Sequence, residues 1–219
     1  MDILNFISWI KSGKYSPTIP SNAVTVVGVP NPTRGDAYLP VTVPVSAFGG
    51  STGSNIGKLL GGGIVVAEWN ESGIQKGLIA SLTDISAIIE WTTPAFVSGP
   101  AIGATAQSLS NGSTNTDAII AQAGVLNSTY AAGAARSHTG GGFADWYLPA
   151  LWELTMCYNV ATIINRVLGT NGFANNTYWS STEDFTSSAW GKAFFGAANN
   201  LNFSKNSNIL VRAVRIHTL

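Results

Sequence analysis

Cysteine is nearly absent: Cys157 is the only one in 219 residues. A lone cysteine closes no intrachain disulfide and builds no cysteine-ligated metal cluster, which excludes the small secreted disulfide scaffolds and the zinc-finger classes. Charge is scarce as well. Lys, Arg, Asp and Glu make up 10% of the chain, 11 basic against 11 acidic, where about a quarter is usual. The basic residues are scattered from Lys11 to Arg215 without a cluster. Nucleic-acid binding needs a basic stripe, so no nucleic-acid partner is expected. No apolar run reaches the ~20 residues of a membrane span, so no membrane insertion is expected. The opening "MDILNFISWIKSGKYS" has neither a basic leader nor a small-residue cleavage site, so folding in a reducing cytoplasm, without a classical signal peptide, is the expectation.

What is present is apolar and small. Hydrophobic residues make up 45% of the chain and 24 residues are glycine. Such a chain buries a sizeable core and covers its surface with Ser, Thr, Asn and Gly instead of charge. Ile3, Phe6, Ile7 and Ile10 stand at helical spacing and predict a short amphipathic helix over 2–11. "NAVTVVGV" and "YLPVTVPVSAF" are β-branched but interrupted by Pro30, Pro32, Pro40 and Pro44. Proline removes a ladder donor, so these read as edge strands of an extended arm. "FGGSTGSNIG" (48–57) reads as a linker. A compact domain follows. Strands are expected at 61–69 and 76–82 around the turn "NESG". A helix is expected at 114–124, capped by Thr114 or Thr116 and ended by Gly124. An Ala/Gly-rich loop is expected at 127–145. The clearest helix is 148–169, with Pro149 in its first turn and an apolar face of Leu151, Leu154, Tyr158, Ala161 and Val167 or Leu168. Short strands are expected at 178–181, 189–195 and 201–204, and a last strand at 209–217. The organisation is 1–55 as a helix and arm for attachment or oligomerisation, and 56–219 as the binding domain.

Several sequences imitate catalytic motifs without their context. "GGSTG" (49–53) has the form of a nucleophile elbow but lies in a linker with no helix after it. "GSNIGK" (53–58) is one residue short of a phosphate loop, and Leu59 stands where Ser or Thr binds magnesium. His138, beside the glycines of "SHTGGG", has no evident nucleophile to serve. Glu183 and Asp184 are adjacent carboxylates, too few for a calcium ion that takes six or more oxygens. No catalytic residue, metal or cofactor is expected.

Four ordered elements carry a resemblance: "DWYLPALWEL" (145–154), "YWSSTE" (178–183), "AW" with a following Phe (189–194) and "VRAVR" (211–215). Together they resemble the C-terminal domain of bacterial collagen-like adhesins and the variable proteins of diversity-generating retroelements. Both groups are similar to C-type lectin folds, as is the formylglycine-generating enzyme. "IGKLLGGGIVVAEW" resembles the start of the same domain, so the likeness covers about 56–217. It implies an α+β, C-type lectin-like fold with paired terminal strands, two helices and a short-strand binding face, preceded by the N-terminal extended β arm. It places Trp146, Trp179, Trp190, Phe194, Arg212 and Arg215 in the scaffold. The enzyme branch uses reactive cysteines, and one cysteine inside a helix departs from it. The calcium-binding triplets and disulfides of sugar-binding relatives are also missing.

Retroelement diversification mutates adenines, typically in AAC codons, which cannot then encode Trp, Met, Lys, Gln or Glu. From Asp184 to Ile209 only Trp190, Lys192 and Lys205 fall outside the reachable set. The resemblance therefore implies a variable ligand-binding surface made of Asp184, Phe185, Thr186, Ser187, Ser188, Gly191, Ala193, Phe195, Leu201, Asn202, Phe203, Ser204, Asn206, Ser207, Asn208 and Ile209. Its expected partner is a protein or glycan on a host or neighbouring cell. The expected carrier is a virion surface or cell surface, reached by attachment or self-association through the N-terminal arm. The alternatives are an adhesin domain holding sulfated polysaccharide and, more remotely, a formylglycine-type enzyme.

Overall fold

The computed structural model describes residues 23–30, 38–44, 54–195 and 200–219. The chain divides into two compact units, Met1–Ser54 and Asn55–Leu219. In the first, β1 (Ala23–Pro30) and β2 (Tyr38–Pro44) form a two-stranded antiparallel sheet with an irregularity between Val27 and Val29. The helix expected over 2–11 and most of the 48–57 linker lie outside the described residues.

The second unit is α+β. β4 (Gly63–Glu71) and β5 (Ile74–Ala80) make a hairpin. Its turn, Ser72–Gly73, has positive φ at both residues, as tight hairpins with right-handed twist require. The Asn70 side chain accepts from the Gly73 N–H at 2.8 Å. β3 (Leu59–Leu60) and β11 (Val214–Thr218) complete a four-stranded sheet of order β11-β5-β4-β3. A second sheet has the order β6-β10-β7-β8-β9. Its strands are β6 (Ser86–Ile89), β7 (Thr177–Phe185), β8 (Ser188–Ala193), β9 (Asn200–Ser204) and β10 (Ile209–Val211).

The last strand differs from expectation. "ILVRAVRIH" is two strands in two sheets, with the switch at Arg212–Ala213. β10 lies parallel to β7 and antiparallel to β6. β11 pairs with β5, not with the 61–69 strand, setting Val214 opposite Ala80 and Arg215 opposite Ile79. A straight strand would have put the two arginines on opposite faces of one sheet. The switch lets each buried arginine find its own partners instead.

Alternation explains the continuously buried runs in these strands. Val65, Ile79, Trp179, Ile209 and Val211 enter one apolar cluster. Ile64, Val66, Leu78, Ala80, Tyr178 and Leu210 enter another. Strands covered on both faces lose the polar positions of a half-exposed strand. The first cluster is closed by α1 (Gly112–Ala123) and α2 (Ala131–Arg136), the second by α3 (Leu151–Leu168). α1 is capped by Asn111, whose side chain accepts from the Thr114 N–H, and neither threonine acts as its cap. Thr116 instead accepts from the Leu148 N–H. Gly124 ends the helix at φ 70°. α2 is an unexpected element: its Ala131–Ala135 run is wholly buried, and only residues this small let the turn approach the core so closely.

α3 begins one turn later than its sequence suggests, and Pro149 precedes it. Its buried face is Leu151, Leu154, Cys157 and Ile164, while Val167 is half exposed. Glu153 fixes its start. One carboxylate oxygen accepts from the Ala150 and Gly112 N–H groups at 2.7 and 3.2 Å, and the other from the Tyr147 hydroxyl at 2.9 Å. Gly112 has no freedom to change, since a Cβ there would lie 2.4 Å from that carboxylate. Burial outweighs the three donors and pushes Glu153 up to about 7 from its ordinary 4.5.

A raised carboxylate pKa makes folding costlier as the unfolded state ionises first. The cost is absent below about pH 4.5, grows until about pH 7 and is then constant, amounting to roughly 3 kcal/mol. His138, pulled below its ordinary value by burial, works in the opposite direction as pH falls. The Glu153 contribution is therefore read as a difference. Urea midpoints of wild type and Glu153→Gln should diverge between pH 4.5 and 7, with wild type losing stability relative to the variant. Parallel curves across that window would refute the assignment.

Candidate functional site

The described residues of 184–204 form the free end of the five-stranded sheet, at β8, β9 and the end of β7. β7, β8 and β9 run as an antiparallel meander, with Trp179 opposite Gly191 and Gly191 opposite Leu201. Trp179 is fully buried, and its indole N–H donates to the Ile89 carbonyl at 2.9 Å. Phe203 stands edge-on to it, with ring centroids 6.0 Å apart. Phe194 packs on the other side, stacked on Phe173 at 4.9 Å and tilted against Tyr178 at 4.8 Å. Trp146 is fully buried, whereas Trp190 is only half-buried.

Above this base the expected variable residues sort by exposure. Phe185, Thr186, Ser187, Phe195, Leu201, Asn202, Ser204, Asn206 and Asn208 are exposed, and Phe185 is 71% so. Asp184, Ser188, Phe203 and Ser207 are half-buried. Asp184 accepts from both the Ser188 hydroxyl and the Asn202 amide at 3.0 Å, linking the end of β7 to the start of β8 and the middle of β9.

Three expected surface residues are not on the surface. Ile209 packs in the core because it begins β10, which is enclosed between β6 and β7. Ala193 is buried beneath the end of β8. Gly191 faces Phe203 so closely that a Cβ would lie 2.9 Å from the Tyr178 carbonyl and 3.2 Å from the Phe203 ring. No side chain fits there, so Gly191 belongs to the base of the site.

Lys205 is the residue that the sequence left unplaced. Its side chain is fully buried, and so is that of Glu183, with 2.7 Å between them. Its ammonium also donates to the Thr186 carbonyl at 2.8 Å and lies 4.9 Å from the centre of the Trp91 ring. Glu183 accepts in addition from the Ile102 and Gly103 N–H groups at 3.0 and 2.7 Å. The main chain of Lys205 is held too, donating to Ser187 and accepting from Trp91. One buried ion pair thus ties β7, the β7–β8 turn, the end of β9 and the 102–103 loop. Lys192 is buried as well, bonded to Asn200 at 2.9 Å and set over the Tyr158 ring. Neither lysine lends charge to the exposed surface.

The arginines of "VRAVR" brace the base from behind. Arg215 makes a two-pronged pair with Asp145 at 2.6 and 2.9 Å and lies 3.7 Å from the Phe143 ring. Those hydrogen bonds hold the Asp145 carboxyl below its ordinary value. Arg212 donates to the carbonyls of Ser81, Asn171 and Gly172, and its Nε sits 3.0 Å from Asp84 without hydrogen-bond alignment.

Cys157 is fully buried, and burial pushes its thiol up to about 12, far from a reactive thiolate. His138 stands edge-on to Trp146. Among the described residues, no three or more His, Cys, Asp or Glu gather as metal ligands, and no helix is long and apolar enough to cross a membrane.

No family model and no curated protein matches the chain. Among solved structures, a fimbrial protein from Bacteroides ovatus is similar at 16% identity and a TM-score of 0.44, over 64% of this chain. The matched region spans 35% of that protein's length.

Two outcomes are expected from these contacts. Lys205→Met strands a buried carboxylate and should lower urea-measured stability by about 3–5 kcal/mol, whereas Phe185→Ser should change it by no more than about 0.5 kcal/mol. Equal effects would contradict the division into base and surface. Iodoacetamide should leave Cys157 unmodified in the native protein and alkylate it in urea, as read by intact mass.

Proposed function

We propose that this chain is a non-enzymatic binding protein whose C-type lectin-like domain displays a sequence-tolerant surface over 184–208. One observation carries the reading. Of the three residues in this stretch that adenine mutagenesis of AAC codons cannot produce, Lys205 and Lys192 are buried in ion-pair and hydrogen-bond contacts, and Trp190 is half-buried. The exposed positions carry only residues that such mutagenesis reaches. A surface free to vary cannot also hold up the fold, so its support must lie in residues exempt from variation.

The composition of the surface suits recognition. Phe185, Phe195 and Leu201 offer apolar contact, while Asn202, Ser204, Asn206 and Asn208 offer adaptable hydrogen bonding. With both lysines buried, no cation of this stretch faces outward, which disfavours a sulfated polysaccharide as ligand. The partner is a protein or glycan on a host or neighbouring cell, and the carrier a virion or cell surface, attached through the N-terminal arm. These last assignments rest on the resemblance of the four motifs to retroelement-diversified proteins.

The deciding observation is genomic. The DNA encoding 184–208 should have a near-repeat beside a reverse-transcriptase gene, with differences confined to adenine positions. A genome without such a repeat removes diversification from the proposal. In binding assays on whole cells, the triple change Phe185→Ser, Phe195→Ser, Leu201→Ser should reduce retention of the labelled protein at least about tenfold, a loss of roughly 1.4 kcal/mol.

A further inference from the structure

We infer that the outer edge of β9 is a strand-addition site for an extended, uncharged segment of a partner polypeptide. The inference rests on the display reading above and gives its partner a backbone chemistry. β9 ends its sheet: it pairs with β8, and no further strand among the described residues pairs with it.

The direction of its main-chain groups follows from one bond. Lys205 donates to the Ser187 carbonyl at 2.9 Å, and the β8–β9 register sets Ser204 opposite Ser188, so these two residues oppose each other. In an antiparallel pair, hydrogen-bonded and non-bonded positions alternate. Phe203 and Leu201 therefore bond Ala189 and Gly191. Asn200, Asn202 and Ser204 turn their N–H and C=O groups outward. The Ser204 carbonyl confirms the direction, since it accepts from Ser207 N–H, outside the ladder. Asn200, Asn202 and Ser204 are all exposed.

Proteins usually blunt such edges with charge, proline, a bulge or brevity. The other edge strands here are blunted or already bonded. β3 has 2 residues, β6 is short and irregular in register, and the β11 edge is already bonded at Val214, which both donates to and accepts from Tyr147. β1 and β2 carry prolines and a bulge. β9, "NLNFS", has 5 residues, no charge, no proline and an unbroken register with β8. It is anchored from beneath by Phe203 on Trp179 and by the Lys205–Glu183 pair at its end. An edge kept regular and uncharged suits an incoming strand of about five residues bearing no charge. Such a mode also fits a surface whose side chains vary: main-chain bonds supply constant affinity, and side chains supply the specificity.

The test uses the full chain and a phage-displayed random heptapeptide library as probe. Enriched peptides should be uncharged and β-branched. In the best of them, N-methylation of one alternate set of amides should weaken binding at least about tenfold by fluorescence polarisation, and N-methylation of the other set by less than about twofold. Asn202→Pro, which removes an outward N–H and no ladder donor, should weaken binding to a similar degree. If that variant does not fold, the two methylated peptides decide alone. Failure to enrich any peptide, or equal response to both methylated sets, overturns strand addition. Loss of cell binding in the Phe185, Phe195, Leu201 variant, alongside peptides indifferent to methylation, overturns it while leaving the display reading intact.

Discussion

The ion pair between Lys205 and Glu183 is the contact on which the free end of the sheet depends. Two opposite charges with no solvent exposure are a costly choice, since desolvation removes much of what their attraction supplies. The cost is tolerable here because each charge has further partners. Glu183 takes two backbone N–H groups from the 102–103 loop, and Lys205 takes a carbonyl and the face of Trp91. A hydrophobic pair of equal volume would pack as well but could not fix direction. The ammonium reaches the Thr186 carbonyl only if the β7–β8 turn is in one place, so the pair sets geometry more than it adds stability.

The same economy runs through the whole second unit. A chain with 10% charged residues buries Glu153, Glu183, Lys192, Lys205, Arg212 and Arg215. All but Lys192, which lies within β8, sit where main chain changes direction: at the start of α3, at the β7–β8 turn, at the sheet switch between β10 and β11, or where "DWYLP" crosses the last strand. These are the places where backbone N–H and C=O groups lose their ladder partners. Long charged side chains reach them, and all four buried cations also lie over aromatic rings, Lys192 on Tyr158, Lys205 on Trp91, Arg212 on Phe173 and Arg215 on Phe143. The outside, left to Ser, Thr, Asn and Gly, is correspondingly neutral.

Much of this was legible from the residues, for physical reasons that differ by element. The 63–71 and 74–80 hairpin and α3 follow from periodicity and turn chemistry, and both are found within a few residues of expectation. α2 was not legible, because "AAGAAR" has no polar face to give a helical period; its burial comes from tertiary contact on both sides. The division of 209–217 was hidden for a similar reason. Its β-branched residues run on both sides of Arg212–Ala213 with no turn residue between them, and the partners of Arg212 at the switch are carbonyls distant in sequence. Within the candidate site, polarity separated base from surface poorly. Gly191 and Ala193 look permissive in sequence and are fixed by neighbours, while Lys205 looks like a solvated lysine and is the most enclosed charge in the region.

That last inversion bears on how a tolerant surface is built. If stability resided in the exposed residues of 184–208, variation there would unfold the domain. Stability instead resides in residues that point down from the same strands: Trp179, Gly191, Phe203 and Lys205. In β9 alternation separates the two roles, with Phe203 turned to the core between the exposed Asn202 and Ser204, whereas β7 is covered on both faces through Glu183 and bears its exposed residue, Phe185, at its end. The inward set is held by contacts that outward substitutions do not touch, so changes at well-separated outward positions should add independently. The meander of β7, β8 and β9 carries its exposed residues at strand ends, at turns and along the free β9 edge, and its anchors on the covered faces, so the anchors and the recognition surface lie on different residues.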